Sequence, residues 1–372
     1  MHADLLLQNF ETVAEAPGGV GRLRELILRL ALEGKLVRQD STDESAEELL
    51  QRITARRAEL VAKGEATKLR RMAENRQPPF RVPRGWCWTT VEEITQKLGA
   101  GSTPLGGKRA YVDRGVKFLR SQNVWNDGLR LADVTQIPRA THQKMSATHV
   151  RAGDVLLNIT GASIGRSALV PTDFDEGNVS QHVAIVRPVV AELGEFIHTF
   201  LISPLVQDRI MDVQVGISRE GLSMTRLRGF PFPLPPLAEQ QRIVARVDEL
   251  MALCDELEAK QQHRHHVRKS LQASALDALT TASTAEALAT AWTRLHSHWP
   301  ILTSHPDSIP PLRQAILQLA VRGNLVPQDS REDDADALLK QLSAARKAIR
   351  NVSTTMRHRT HEFTEALLPA TG

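Results

Sequence analysis

Residues 23–40 of this chain, LRELILRLALEGKLVRQD, return at 312–329 as LRQAILQLAVRGNLVPQD, an offset of 289 residues kept without a gap. The register persists further: Ala46 corresponds to Ala335, Leu49 and Leu50 to Leu338 and Leu339, Ala55 to Ala344 and Arg57 to Arg346. Correspondence sustained over about forty residues marks a duplication rather than chance. Within each copy, Leu23, Leu26, Ile27 and Leu30, or Leu312, Ala315, Ile316 and Leu319, recur at helical spacing and make one apolar face. Gly34 and Gly323 then suit a left-handed helix C-cap. Asp40 and Ser41, or Asp329 and Ser330, open a second helix through the double leucine. Each copy therefore reads as a helical hairpin. The offset is far too long for a stacked repeat array, so a different domain separates the copies.

The intervening stretch has the composition of such a domain. Between about Pro78 and Pro236 helical periodicity gives way to glycine, proline and short β-prone runs. Residues 116–119, 154–159 and 182–186 read as strands bounded by turns, with helical patches near 195–210. After Pro235 and Pro236 the helical pattern returns. Val247, Leu250, Cys254, Leu257, Leu271 and Ala275 fall on alternating heptad positions, interrupted by Gln261, Arg264 and Arg268. A helix from Leu237 to about Leu279 would be roughly 60 Å long, and its broken seam favours packing against a partner helix. The organisation expected is α+β: a helical repeat at 1–77, one globular α/β domain at 78–236, a helical spacer at 237–282 and a second helical repeat at 283–372, the helices antiparallel and coiled-coil-like.

Bulk properties exclude several classes. A chain of 372 residues, 41% hydrophobic and 24% charged, is ordinary for a soluble protein, and no run of about 18 apolar residues suggests a membrane span. The start lacks a basic-then-apolar signal pattern, and the two cysteines, Cys87 and Cys254, give neither metal-ligand spacing nor a disulfide framework. Both points fit a cytoplasmic location. A net charge of +4 permits a polyanionic partner without demanding one. The histidines at His263, His265 and His266 read as a solvated helix face rather than a metal site, and no metal is expected.

Several stretches of the middle domain combine in a telling order. Residues 85–88 (GWCW) are followed by Thr103-Pro104, by FLRSQNV at 118–124, by GDVLLNITGASIG at 153–165, and by NVSQHVAIVRP at 178–188. The domain closes with FPLPPLAEQQRIV at 232–244, leading into the heptads. In this order and spacing the chain, from about Leu23 onward, resembles the specificity subunit of type I restriction-modification systems, with one target-recognition domain where two are usual. The resemblance implies a non-catalytic, DNA-reading chain. Paired helices act as a ruler and bind methyltransferase subunits, and a restriction/translocase subunit joins through the complex. It implies no cofactor on this chain; S-adenosylmethionine, ATP and Mg belong to the partner subunits.

On that resemblance, Lys108, Arg109, Arg120, Arg166, Arg219, Arg226 and Arg228 are candidates to meet phosphates or guanine edges. Gln122, Asn123, Asn158, Gln181 and Ser223 are candidates to read base edges. Gly161 and Gly165 either let the backbone approach DNA or shape the fold, and Asn158 and Thr160 either touch bases or satisfy buried strand ends. Leu23, Ile27, Leu30, Leu250, Leu257, Leu271, Leu312, Ile316 and Leu319 are the expected partner-interface positions.

The first copy precedes its Gly85-Trp86 by 62 residues, which would put the equivalent of Gly85 near 374, while the sequence stops at Gly372. Two expectations follow: a half-subunit that forms a homodimer, reading a split palindrome, or the leading piece of an interrupted, inactive chain. Residues 77–80 (QPPF) resemble an adenine-methyltransferase loop, but the first residue is Gln77 and no glycine-rich cofactor loop accompanies it. A helical scaffold without DNA readout is the remaining rival.

Overall fold

A computed structural model of the chain describes residues 8–69, 78–214, 221–326 and 335–365, except the side chains of 108, 213–214 and 351–365. Arg219, Gln77, Asp329, Ser330 and 366–372, all discussed above, lie outside the described residues, as does the side chain of Lys108. The chain divides into two compact units, 1–261 and 262–372.

The first unit begins with α1 (Phe10–Glu15), α2 (Gly19–Leu32) and α3 (Ala46–Ala62). Helix α2 stops because Gly34 takes φ +64°, and the N–H of Lys35 then returns to the Leu30 carbonyl at 2.9 Å. Helix α3 starts later than Asp40 suggests. Asp40 is already engaged by the N–H and hydroxyl of Thr42, whereas Ser45 and Glu48 form a reciprocal capping box, with the Ser45 N–H donating to the Glu48 carboxylate at 2.9 Å.

There follow β1 (Cys87–Thr90), α4 (Val91–Ile94), β2 (Thr95–Ala100), β3 (Val116–Leu119), β4 (Val124–Trp125), β5 (Gly128–Leu129) and β6 (Thr135–Ile137). Next come α5 (Arg139–Lys144), β7 (His149–Val150), β8 (Val155–Asn158), β9 (Ser167–Leu169), β10 (Gly177–Val179) and β11 (Val183–Pro188). Helices α6 (Gly194–Leu201), α7 (Pro204–Gln214) and α8 (Met224–Arg228) precede β12 (Pro231–Leu234) and the long α9 (Leu237–Thr281). One sheet runs β2-β11-β8-β9, all antiparallel. A second runs β6-β3-β10-β7, with β3 and β10 parallel. Strands β1 and β12 pair Cys87 with Leu234, so the two ends of the domain are stitched together where α9 departs.

Strand alternation places the first sheet between two cores. Val155, Leu157, Ala184 and Val186 face the helices, while Leu156, Val183 and Ile185 face the second sheet and meet Leu119, Val124 and Val179. The helical repeat belongs to the first of these cores. Leu23, Ile27, Leu30 and Leu250 are buried there and Leu257 packs against it, together with Trp86, Phe196, Val247 and Cys254. These five expected interface positions are therefore corrected. They hold the chain's own helices to its own sheet domain, and the heptad positions of α9 from Val247 to Leu257 are the trace of that packing. Trp86 is a structural residue too, donating its indole N–H to the buried Glu239 carboxylate at 2.9 Å.

The second unit contains the end of α9, α10 (Ala285–Ser297), α11 (Trp299–Leu302), α12 (Ile309–Val321) and α13 (Ala335–Glu365). Ala275, Leu276 and Leu279 of α9 pack with Leu295, Leu302, Ala315 and Leu319, with Leu312 half-buried beside them. Leu312 and Leu319 thus also serve an internal core, and only Leu271 and Ile316 of the expected interface set stand exposed. The second repeat differs sharply from the first. Leu317 is 66% exposed, Val321 88%, Leu338 54% and Leu342 56%, while their counterparts Leu28, Leu32, Leu49 and Ile53 are all buried. Among the described residues no helix is long and apolar enough to cross a membrane.

Candidate nucleic-acid interface

The C-terminal end of β8 lies beside the N-terminal end of β11, and the loops joined there form a polar rim. The N–H of Ile159 donates to the His182 carbonyl at 2.9 Å, and Leu222 donates to the Ile159 carbonyl at 2.8 Å. On the far side Gly101 donates to Val183 at 2.9 Å and Ser102 to Val179 at 3.1 Å. These backbone bonds gather the loops at 101–103, 159–166, 180–182 and 221–223. Gly101 is required there, because a Cβ would stand 2.1 Å from the Val179 carbonyl oxygen. Gly165, at φ +88°, is required for shape rather than contact, since a Cβ would meet the Gln207 side chain at 2.4 Å.

Four of the sequence-derived candidates lie on this rim or beside it with side chains turned outward. Gln122 is exposed; Gln181 is exposed and accepts a hydrogen bond from the Thr103 hydroxyl; Arg166 is half-buried; Ser223 is exposed. The Ser223 hydroxyl caps α8, accepting from the Arg226 N–H at 3.3 Å, which positions the exposed Arg226 behind it. Arg109 is exposed on a short turn at Gly107–Ala110.

Three candidates do structural work instead. Asn158 is fully buried and donates to the Ser121 carbonyl at 2.8 Å and the Ser163 hydroxyl at 3.1 Å, tying two loops together. Asn123 is buried, accepting from the Arg120 N–H at 3.0 Å and donating to the Arg130 carbonyl at 2.8 Å. Arg228 donates to the buried Glu92 at 3.0 Å and to the Leu98 carbonyl at 2.7 Å, so its guanidinium is spent inside the domain. The half-buried Arg120 has its Nε enclosed without a partner.

Sequence reasoning missed one rim residue. Trp125, at the end of β4, is 38% exposed and lies with its ring under the Arg166 guanidinium at 3.8 Å. Thr160 and His182 contact each other across the rim at 2.5 Å, hydroxyl to Nδ1. An aromatic residue beside a polar triplet, Gln122-Asn123-Val124-Trp125, was the available signal.

The geometry has the chemistry of a nucleic-acid surface: hydrogen-bonding side chains of mixed sense, an exposed indole and arginines with no carboxylate partner among the described residues. Comparison with known proteins points the same way. A family model for the type I restriction modification DNA specificity domain matches residues 84–264. The EcoEI specificity subunit of a type I restriction enzyme from Escherichia coli is 35% identical over 340 residues, 87% of this chain and 54% of its own. The EcoAI specificity subunit, also from Escherichia coli, is 32% identical over 337 residues, 87% of this chain and 55% of its own. This chain thus spans about half the length of those relatives. A solved HsdS subunit from Thermoanaerobacter tengcongensis covers 82% of this chain and 56% of its own at 18% identity and a TM-score of 0.38. Residues 84–264 thus match the type I restriction modification DNA specificity domain, and over 87% of its length the chain is similar to type I restriction-modification specificity subunits.

Proposed function

We propose that this chain reads one sequence element in double-stranded DNA and delivers it to partner subunits that carry the chemistry. The partners would transfer methyl groups from S-adenosylmethionine to adenine and, with ATP and Mg, cleave DNA, all in the cytoplasm. The observation that carries this reading is the rim around the ends of β8 and β11, where Gln122, Arg166 and Gln181 face outward on loops pinned by backbone hydrogen bonds. Exposed donors on a rigid platform suit base readout, because rigidity lowers the ordering cost of each contact. Arg109 and Arg226, exposed on neighbouring short elements, suit phosphates.

Docking of a partner subunit is assigned in the same reading to the second repeat. Its apolar positions, Ile316, Leu317 and Val321 among them, are exposed beyond what an isolated soluble face tolerates.

Methylation mapping by single-molecule sequencing tests the proposal. DNA from cells carrying this gene with its neighbouring methyltransferase gene is compared with DNA from a deletion of this gene. The expected result is an adenine motif that disappears on deletion. If every methylated motif survives, the chain does not direct modification and a scaffold without readout is the better description.

A further inference from the structure

We infer that Trp125 is a positioning residue that presents Arg166 to a guanine, making this pair a specificity determinant at one base pair. The inference rests on the DNA-reading function proposed above. Arg166 lies on the indole ring at 3.8 Å, while its side chain has no carboxylate or carbonyl partner among the described residues. Its fork of N–H donors is therefore unspent, unlike that of Arg228, which is consumed by Glu92 and Leu98. An arginine packed face-on against an aromatic ring loses rotational freedom but keeps its in-plane donors, the geometry for bidentate bonding to guanine O6 and N7.

The surroundings fix both members of the pair. The Trp125 indole N–H donates to the Gln122 carbonyl at 2.9 Å, which sets the ring's orientation. The next residue, Asn126, accepts the N–H of Ser167 at 3.0 Å, so the hairpin carrying Trp125 is bonded to the residue following Arg166. The backbone of Arg166 is held from both sides, its carbonyl accepting from Asn158 at 2.8 Å and its N–H donating to Ser163 at 3.2 Å. Gln207 donates to the Gly165 carbonyl at 2.9 Å and closes the turn. Arg130, with its guanidinium 5.8 Å from the same ring, is paired with Asp127 and is not the reader.

The test is parallel selection of the full chain and its variants from a duplex library with a randomised window. Salt titrations of binding to the wild-type-selected duplex accompany it. Trp125→Leu and Arg166→Lys are expected to lose preference for guanine at the same single position while keeping the rest of the motif. Both should lower affinity for the selected duplex roughly 10-fold, the scale of one bidentate base contact. Trp125→Phe should recover part of the preference. A uniform loss of affinity with the motif intact and a shallower salt dependence for Arg166→Lys would make Arg166 a phosphate contact and overturn the inference. So would Trp125→Leu retaining the wild-type motif while Arg166→Lys loses a position. If wild type selects no motif at all, the DNA-reading function itself fails and the inference falls with it. Circular dichroism of Trp125→Leu separates these outcomes from misfolding, and Arg166→Lys, at a half-exposed site, supplies the second variant.

Discussion

Lys97 lies opposite Arg187 in the pairing of β2 with β11. Burial, reinforced by Arg187 and Arg151 and opposed by Asp154, lowers its pKa from 10.5 to about 8. The unfolded chain therefore binds more protons than the folded chain between about pH 8 and 10.5, and stability rises with pH across that window. Urea midpoints measured from pH 7 to 10 should climb in wild type. Lys97→Met should flatten the climb and raise the midpoint at pH 7; an equally steep rise in the variant would rule out Lys97 as its source. The neighbouring Arg187 is locked to the fully buried Asp154 by two hydrogen bonds, 2.6 and 2.8 Å, and to the His149 carbonyl at 3.0 Å. Asp154→Asn strands a buried guanidinium, and a loss of about 3–5 kcal/mol in unfolding free energy is expected. Residue type alone could not separate such structural groups from readers. Asn158 and Gln181 look equally fit to meet a base in the sequence. Only its complete burial, and the Ser121 carbonyl and Ser163 hydroxyl that take up its amide N–H groups, reveal that Asn158 serves the fold.

Elements follow local signals closely where the signal is local. The arm expected at 237–279 is α9 at Leu237–Thr281, the run 116–119 is β3, and the helical patches near 195–210 are α6 and α7. The pairing of β1 with β12 joins residues about 140 positions apart through a strand containing Pro231 and Pro233, so neither alternation nor composition announced it. The start of α3 falls at Ser45, where Glu48 closes the capping box, whereas Glu44, at the same spacing from Ser41, is taken by Arg52. Ser45→Ala should cost about 1 kcal/mol. The paired glycines of the duplication allow a sharper comparison. Gly34 and Gly323 both hold a left-handed φ, +64° and +71°, at equivalent helix ends. Alanine at either position carries the backbone penalty of about 1–2 kcal/mol. At Gly34 a Cβ would also stand 2.3 Å from the Pro83 ring and 3.1 Å from Trp86. Thermal unfolding should show Gly34→Ala as clearly the more damaging change if it is followed through the sheet domain's own transition. Equal losses would mean that the Pro83 contact relaxes freely.

At the scale of the whole molecule, the duplication produces two copies with opposite fates. In the first, the helical hairpin is covered by Trp86, Phe196 and the start of α9, so its leucines become core. In the second, Leu317 on α12 and Leu338, Leu339 and Leu342 on α13 are exposed. A surface helix as long as α13, with Leu338, Leu339 and Leu342 bare, gains little from intrinsic propensity and needs a covering surface. The sheet-domain surface that covers the first repeat is already occupied within every copy, so it cannot serve the second repeat of another chain. What remains available on a second copy is the same bare face, and a face that meets itself across a two-fold axis closes after two chains. The chain on its own is therefore expected to dimerise through α12 and α13, placing two reading domains on one assembly and favouring a palindromic split site. Sedimentation equilibrium should show a monomer–dimer distribution that shifts toward monomer in Leu338→Glu and Leu342→Glu, with the far-ultraviolet spectrum unchanged. A wild-type monomer at every attainable concentration would leave the methyltransferase subunit as the covering partner. Co-purification with that subunit would then be lost in the same two variants, which separates a face built for self-association from one built for a different protein.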